Sequence, residues 1–120
     1  MMNKVNLDEK FGMFSEHWSP KVVGRVQDCD VKLAKLLGEF EWHHHPEEDE
    51  MFLVVKGRLV IKFRDKDVSL NEGELLIVPK GVEHLPVAEE EVWVMLVEPA
   101  GTLNTGNTVS ARTVAEPESI

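Results

Sequence analysis

Long apolar runs are missing from this 120-residue chain. The longest, Val92 to Val97 (VWVMLV), is far short of the roughly 18 to 20 residues that cross a bilayer as a helix. The opening MMNKVNLDEKF has no apolar stretch of the kind an export signal needs, so a cytoplasmic setting without membrane association is expected. Cysteine is nearly absent too. Cys29 stands alone, which excludes an intramolecular disulfide and fits a reducing compartment, and between the negative charges of Asp28 and Asp30 it does not read as a nucleophile. Positive charge is scarce: 13 Lys+Arg against 22 Asp+Glu leave a net charge of -9, so a phosphate backbone or an anionic bilayer is repelled at long range. There is no internal repeat, no glycine-rich phosphate loop ahead of a helix, and no serine with histidine and acid at recognisable spacing. Nor is there a helix pair suited to a DNA groove. Nucleic acid is therefore not expected as a partner, and covalent catalysis by a serine triad has no support.

What is present describes one globular domain. With 42% hydrophobic and 29% charged residues, a chain of this length buries roughly two thirds of the surface its unfolded form exposes. Leu7, Phe11, Phe14 and Trp18 fall at helical steps behind Asn6, a capping residue followed three positions later by Glu9. This predicts a short amphipathic helix over 7–14, weakened by Gly12. Residues 1–20 read as an N-terminal segment closed by Pro20, residues 21–98 as a β-barrel, and residues 99–120, turn-rich and poor in large apolar groups, as a loosely ordered tail.

Within 21–98 the pattern is one of short strands and turn signals. Lys21–Val26 and Val31–Leu37 flank an expected turn at Asp28–Asp30, and the second strand alternates Val31 and Leu33 against Lys32 and Ala34. Met51–Val55 and Arg58–Phe63 read as an antiparallel hairpin reversed at Lys56-Gly57. Further strands are expected at Val68–Leu70, Leu75–Val78 and Val92–Val97, giving an all-β jelly-roll sandwich or barrel. MFLVV and VWVMLV are apolar on both faces. If one face fills the barrel, the other meets either the N-terminal segment or a second subunit, and a homodimer is expected.

Four of the five histidines fall at His43-His44-His45 and His84, each beside a tight-turn signal. In an extended segment His43 and His45 share one face and His44 takes the other. Two imidazoles on one face are a ready pair of metal ligands. Asp49 or Glu50 can add a carboxylate, and Glu50 is preferred because it opens a strand while Asp49 sits in the turn. His84 is the remaining ligand, delivered by the Pro79-Lys80-Gly81 corner.

Gly38, His43, His45, Glu50 and Gly57, followed by Gly73, Pro79, Gly81 and His84, resemble the two sequence motifs of the cupin superfamily, and in particular its small single-domain "cupin 2" type. Two departures stand out. Gly38 is one residue closer to the first histidine than is usual, and shifting the register to His44 would put the donorless Pro46 at the second ligand position. Ala88 also stands where the family often has asparagine. The resemblance implies a jelly-roll barrel, also called a double-stranded β-helix, behind a short N-terminal helical segment. It further implies one divalent transition metal (Fe, Mn, Ni, Co, Cu or Zn) held by His43, His45, Glu50 and His84, with open coordination positions for a small-molecule ligand or substrate. Dioxygenase-like chemistry asks the fewest further residues. Sugar-phosphate isomerase chemistry needs cations, and Lys56, Arg58, Lys62 and Lys80 mostly read as outward-facing. A binding or sensing module without catalysis is the alternative, because no general base in the barrel can be assigned. Of the other candidates, His44 reads as solvated, His17 as a surface or packing residue, and Trp42 and Trp93 as core or interface residues rather than substrate platforms. Glu47 and Glu48 read as a solvated turn.

Overall fold

The computed structural model describes residues 2–120. Within them, seven antiparallel strands follow one helix: β1 (Lys21–Val26), β2 (Cys29–Glu39), β3 (Glu50–Lys56), β4 (Leu59–Phe63), β5 (Asp67–Leu70), β6 (Leu75–Val78) and β7 (His84–Pro99). Their hydrogen-bonded order is β1-β2-β7-β3-β6, with β4 joining β7 to β5. The long β7 makes one barrel of these pieces. Its residues 84–87 pair with β4, its residues 93–97 pair with β3, and β2 runs beside most of its length. The result is the expected all-β jelly-roll barrel with a short N-terminal helix.

That helix, α1 (Leu7–Phe11), is shorter than the apolar spacing suggested. Asn6 caps it by accepting from the Glu9 amide at 3.0 Å, and Gly12 ends it. Phe14 lies beyond the helix yet is buried with Phe11 against Leu33. The first hairpin turns at Gln27-Asp28 rather than at Asp28–Asp30, because Val26 pairs with Cys29 and Gln27 takes the positive φ, 56°, that a two-residue reversal favours. Cys29 and Asp30 thus belong to β2.

The hairpin expected between β3 and β4 does not form. β3 pairs with β6 and β7, and β4 with β5 and β7, so Lys56-Gly57-Arg58 carries the chain across the barrel edge. Gly57 makes that crossing with φ +93°, its amide donating to the Glu72 carboxylate at 3.0 Å, and an added Cβ would sit 3.1 Å from the Glu91 carbonyl oxygen. A crossover and a hairpin begin with the same polar, glycine-bearing signal. Only the distant pairing partners tell them apart.

Ala34, Leu36, Phe52, Val54, Leu59 and Ile61 are part of the buried barrel core. Burial of each large side chain among them is worth roughly 1.5–3 kcal/mol. This parity overturns the expected facing of β2: Lys32 and Ala34 point into the barrel, whereas Leu33 points outward and is covered by Phe11 and Phe14. Trp93, also on the outer face, stacks on Phe11 with ring centroids 4.7 Å apart. The N-terminal segment therefore covers the outer face near β2 and β7. Cover is thinner farther along that face, where Met51 and Leu53 are half-buried and Leu75 and Ile77 are 53% and 57% exposed.

Residues 99–120 form no loose tail; they clasp the segment that leads into β3. Asn107 holds His44 from both sides, accepting from its amide at 2.8 Å and donating to its carbonyl at 3.0 Å. Ser110 donates to Glu41 at 2.7 Å and Arg112 to the Glu39 carbonyl at 2.9 Å. The Ile120 amide then donates to the Val22 carbonyl at 3.0 Å, covering the outer edge of β1. No helix among the described residues is long and apolar enough to cross a membrane.

Candidate metal centre

His43 and His45 lie on the extended link between β2 and β3, where alternation turns both rings inward. His43 and His84 exchange backbone hydrogen bonds of 3.1 and 2.9 Å, which fixes the first residue of β7 opposite the histidine link. Gly81, at φ +80°, donates its amide to the His45 carbonyl at 2.8 Å and so ties the corner before His84 to the same link. Glu50 opens β3 with its side chain inside. Asp49 stays in the turn, its carboxylate accepting from the Lys80 amide at 2.9 Å.

The structure brings His43, His45, Glu50 and His84 together, all buried, with one donor atom from each lying within 4.8 Å of the others. Donors around a single ion at about 2.1 Å are separated by about 3–4 Å, so small side-chain adjustments suffice. Glu50 Oε1 lies 3.3 Å from His45 Nε2 and 3.4 Å from His84 Nε2. His43 Nδ1 faces the Glu41 carbonyl at 2.8 Å, and His84 Nδ1 faces the Val82 carbonyl at 2.9 Å. A carbonyl only accepts, so both Nδ1 atoms carry the proton and both Nε2 lone pairs point into the site. His84 Nε2, both ring nitrogens of His45 and Glu50 Oε1 are buried without hydrogen-bond partners. Such groups are costly in an apolar interior, and a divalent cation among them removes that cost. The donor set of three imidazoles and one carboxylate thus fits a transition metal.

The electrostatics agree. Burial, and then the neighbouring His84, push the His43 imidazole down to about 4, so it stays in the neutral form that a metal requires. Burial alone would push Glu50 up, but contacts with His45 and His84 outweigh it and hold the carboxyl well below the usual carboxylate range.

A cavity of about 30 Å³ adjoins the cluster, with room for about two water-sized groups. Leu36, Phe40, Phe52 and Leu96 line it, and His43 and Glu50 form its polar end. Trp18 also lines it, stacked on Phe40 with ring centroids 4.5 Å apart. Its backbone has φ +59°, a conformation costing about 1–3 kcal/mol, held by its amide on the Lys35 carbonyl and its indole on the Leu37 carbonyl, each at 2.9 Å.

His44 departs from the solvated reading. It is half-buried beneath Asn107, with its Nδ1 shielded from water. His17 sits at the surface against Glu91 at 2.7 Å, Trp42 lies under the Arg64 guanidinium at 3.7 Å, and Trp93 packs on Phe11. Sequence reasoning missed two interior charges, Lys32 and Glu98, each 1% exposed and joined at 2.9 Å. The parity of β7 carried a signal for one of them. Val92, Val94 and Leu96 face inward, and Glu98 continues their alternation.

Residues 32–98 match the family model described as "Cupin domain". A cupin-2 domain containing protein from Shewanella frigidimarina superposes with a TM-score of 0.78 at 47% identity, over 79% of this chain and 93% of that one. The uncharacterized protein YdbB of Bacillus subtilis is 44% identical over 63 residues, 52% of this chain and 56% of its own length. The acireductone dioxygenase of the same organism is 35% identical over 77 residues, 60% of this chain and 43% of the enzyme. The chain thus spans about half the length of the curated relatives it matches.

Proposed function

The chain belongs to the cupin-domain family, and from that premise we propose that it holds one divalent transition metal on His43, His45, Glu50 and His84 and acts as a dioxygenase-like enzyme on a small, oxygen-bearing molecule. The observation that carries this reading is the set of buried, inward-directed and unpartnered donor atoms, His45 Nε2, His84 Nε2 and Glu50 Oε1. Likeness to an acireductone dioxygenase over part of its length supports the reaction class. When bound, the metal supplies a Lewis acid with exchangeable positions for a chelating ligand and, if redox-active, for dioxygen.

The protein's own residues do the rest. The carbonyls of Glu41 and Val82 orient the His43 and His84 rings. Leu36, Phe52 and Leu96 keep bulk water away from the polar end of the cavity, and Trp18 restricts it to small ligands. A phosphorylated sugar is disfavoured as substrate, because Lys56, Arg58 and Lys80 are exposed and Lys32 is engaged by Glu98. The lone Cys29 supports a cytoplasmic setting.

The test is elemental analysis of untagged protein purified without nickel resin or chelator, followed by oxygen-electrode assays with diketones, thiols and catechols. Near-stoichiometric redox metal and oxygen uptake with one substrate class are expected. Metal without turnover across the panel would favour a binding module, and absence of metal even after reconstitution would overturn the proposal.

We also propose that the second partner is another copy of this chain, packed on β3 and β6. Among the described residues the edge of β6 away from β3 has no strand partner, and Leu75 and Ile77 expose apolar side chains there next to Met51 and Leu53. Light scattering should give twice the chain mass for the wild type and the single-chain mass for Ile77→Lys. A monomeric wild type at tens of micromolar would refute the assignment.

A further inference from the structure

Once the metal ligands are assigned, one charged pair inside the barrel remains without a role. Lys32 Nζ and Glu98 Oε1 are 2.9 Å apart, and Lys32 also reaches the Thr102 carbonyl at 3.5 Å. Neither side chain reaches water, so the pair contributes nothing to solubility. A buried ion pair is also weak evidence for stability, since desolvation of both charges offsets most of their attraction. Its placement is more informative.

Met51 and Val97 are partners across β3 and β7; Glu50 precedes the first and Glu98 follows the second. The two carboxyl groups therefore project side by side from adjacent strands into the same interior. Lys32 comes from β2 on the other flank of β7, where it pairs with Leu96. On the β2 side Glu98 is registered opposite Asp30, with Lys32 reaching it along the diagonal, and on the β3 side the register places it beside Glu50. Glu98 directs one oxygen to Lys32, while its Oε2 is buried without a hydrogen-bond partner.

Resting on the metal-site reading above, we propose that Glu98, anchored by Lys32, is a positioning residue that fixes the orientation of the Glu50 carboxylate toward the metal. Without Glu98, Lys32 is left as an uncompensated interior cation that competes with the metal for Glu50. Without Lys32, Glu98 loses the anchor that keeps its side chain beside Glu50. Neither side chain needs to touch the ligand for this to alter metal binding, because a displaced carboxylate changes both the strength and the symmetry of the ligand field.

The test is titration of metal-free protein with Co(II), reading affinity and the visible ligand-field spectrum together. The variants are Glu98→Gln, which preserves shape, and the double variant Lys32→Met, Glu98→Leu, which strands no charge. His84→Ala serves as the ligand-loss control and Val94→Ala as the packing control. Both test variants should bind Co(II) about 10- to 100-fold more weakly, with shifted absorption bands, while Val94→Ala keeps the wild-type spectrum. Wild-type affinity and spectra in the folded test variants would overturn the positioning role and leave the metal site standing. Failure of the wild type to bind Co(II) would overturn both readings. Unfolding of both test variants, seen by circular dichroism, would assign the pair to stability instead and also overturn the proposal.

Discussion

Lowering the pH should destabilise the metal-free protein through His43, and the size of that effect follows from its surroundings. In the folded barrel burial and the nearby His84 push the imidazole down to about 4, from 6.5 when unperturbed. The folded state therefore resists a proton that the unfolded chain accepts. The contribution of the neutral ring is fully present above pH 6.5 and is lost as pH falls through that value towards 4. Across that window the unfolded state binds up to one extra proton, a slope near 1.4 kcal/mol per pH unit and a total of about 3 kcal/mol. With a urea m-value of about 1.5 kcal/mol/M, the midpoint should fall by about 2 M. Glu98, raised by burial, gains relative stability as pH falls and so opposes the trend. The informative quantity is therefore the difference between wild type and His43→Gln, measured by urea unfolding in chelator at several pH values from 7.5 to 4. The wild type should lose about 3 kcal/mol more than the variant. Parallel profiles would refute the reasoning, for they would mean that the folded barrel does not exclude the proton from His43.

His84→Ala and His45→Ala should each abolish stoichiometric metal binding while the β-rich circular dichroism persists. Glu50→Gln should weaken binding less, since three imidazoles remain. Calorimetric titration separates these cases. Gly106→Ala should loosen the clasp of residues 99–120, because its φ is +55° and an added Cβ runs into the His44 carbonyl oxygen. A loss of about 1–3 kcal/mol is expected, with faster amide exchange at His44 and Asn107. Leu59→Ala, at a fully buried core position, should cost about 2–5 kcal/mol in urea unfolding while leaving metal stoichiometry at the wild-type value.

The inward pairing of His43 and His45 was legible in the sequence because it needs only the two-residue repeat of an extended chain. The bounds of β1 and β6 were legible too, since their apolar runs end at short polar turns. The glycines at 57, 73 and 81 mark positions of positive φ that other residues adopt at a cost. The inward side of β2 was not legible. Alternation reports a contrast between two faces, and here Leu33 is buried by the N-terminal segment on one face while Lys32 is buried by Glu98 on the other. The reversal at Gly57 likewise carries no mark of whether β4 returns beside β3 or crosses to β5 and β7. The turn-rich residues 99–120 gave little apolar signal because they are held to residues 39–44 by hydrogen bonds, and the side chains they bury most deeply, Thr102 and Thr105, are small and polar. By itself, then, the sequence determined the local geometry, which depends on steric preference and short spacing. Tertiary structure alone decided which faces are buried and which charges meet, because those depend on partners dozens of residues away.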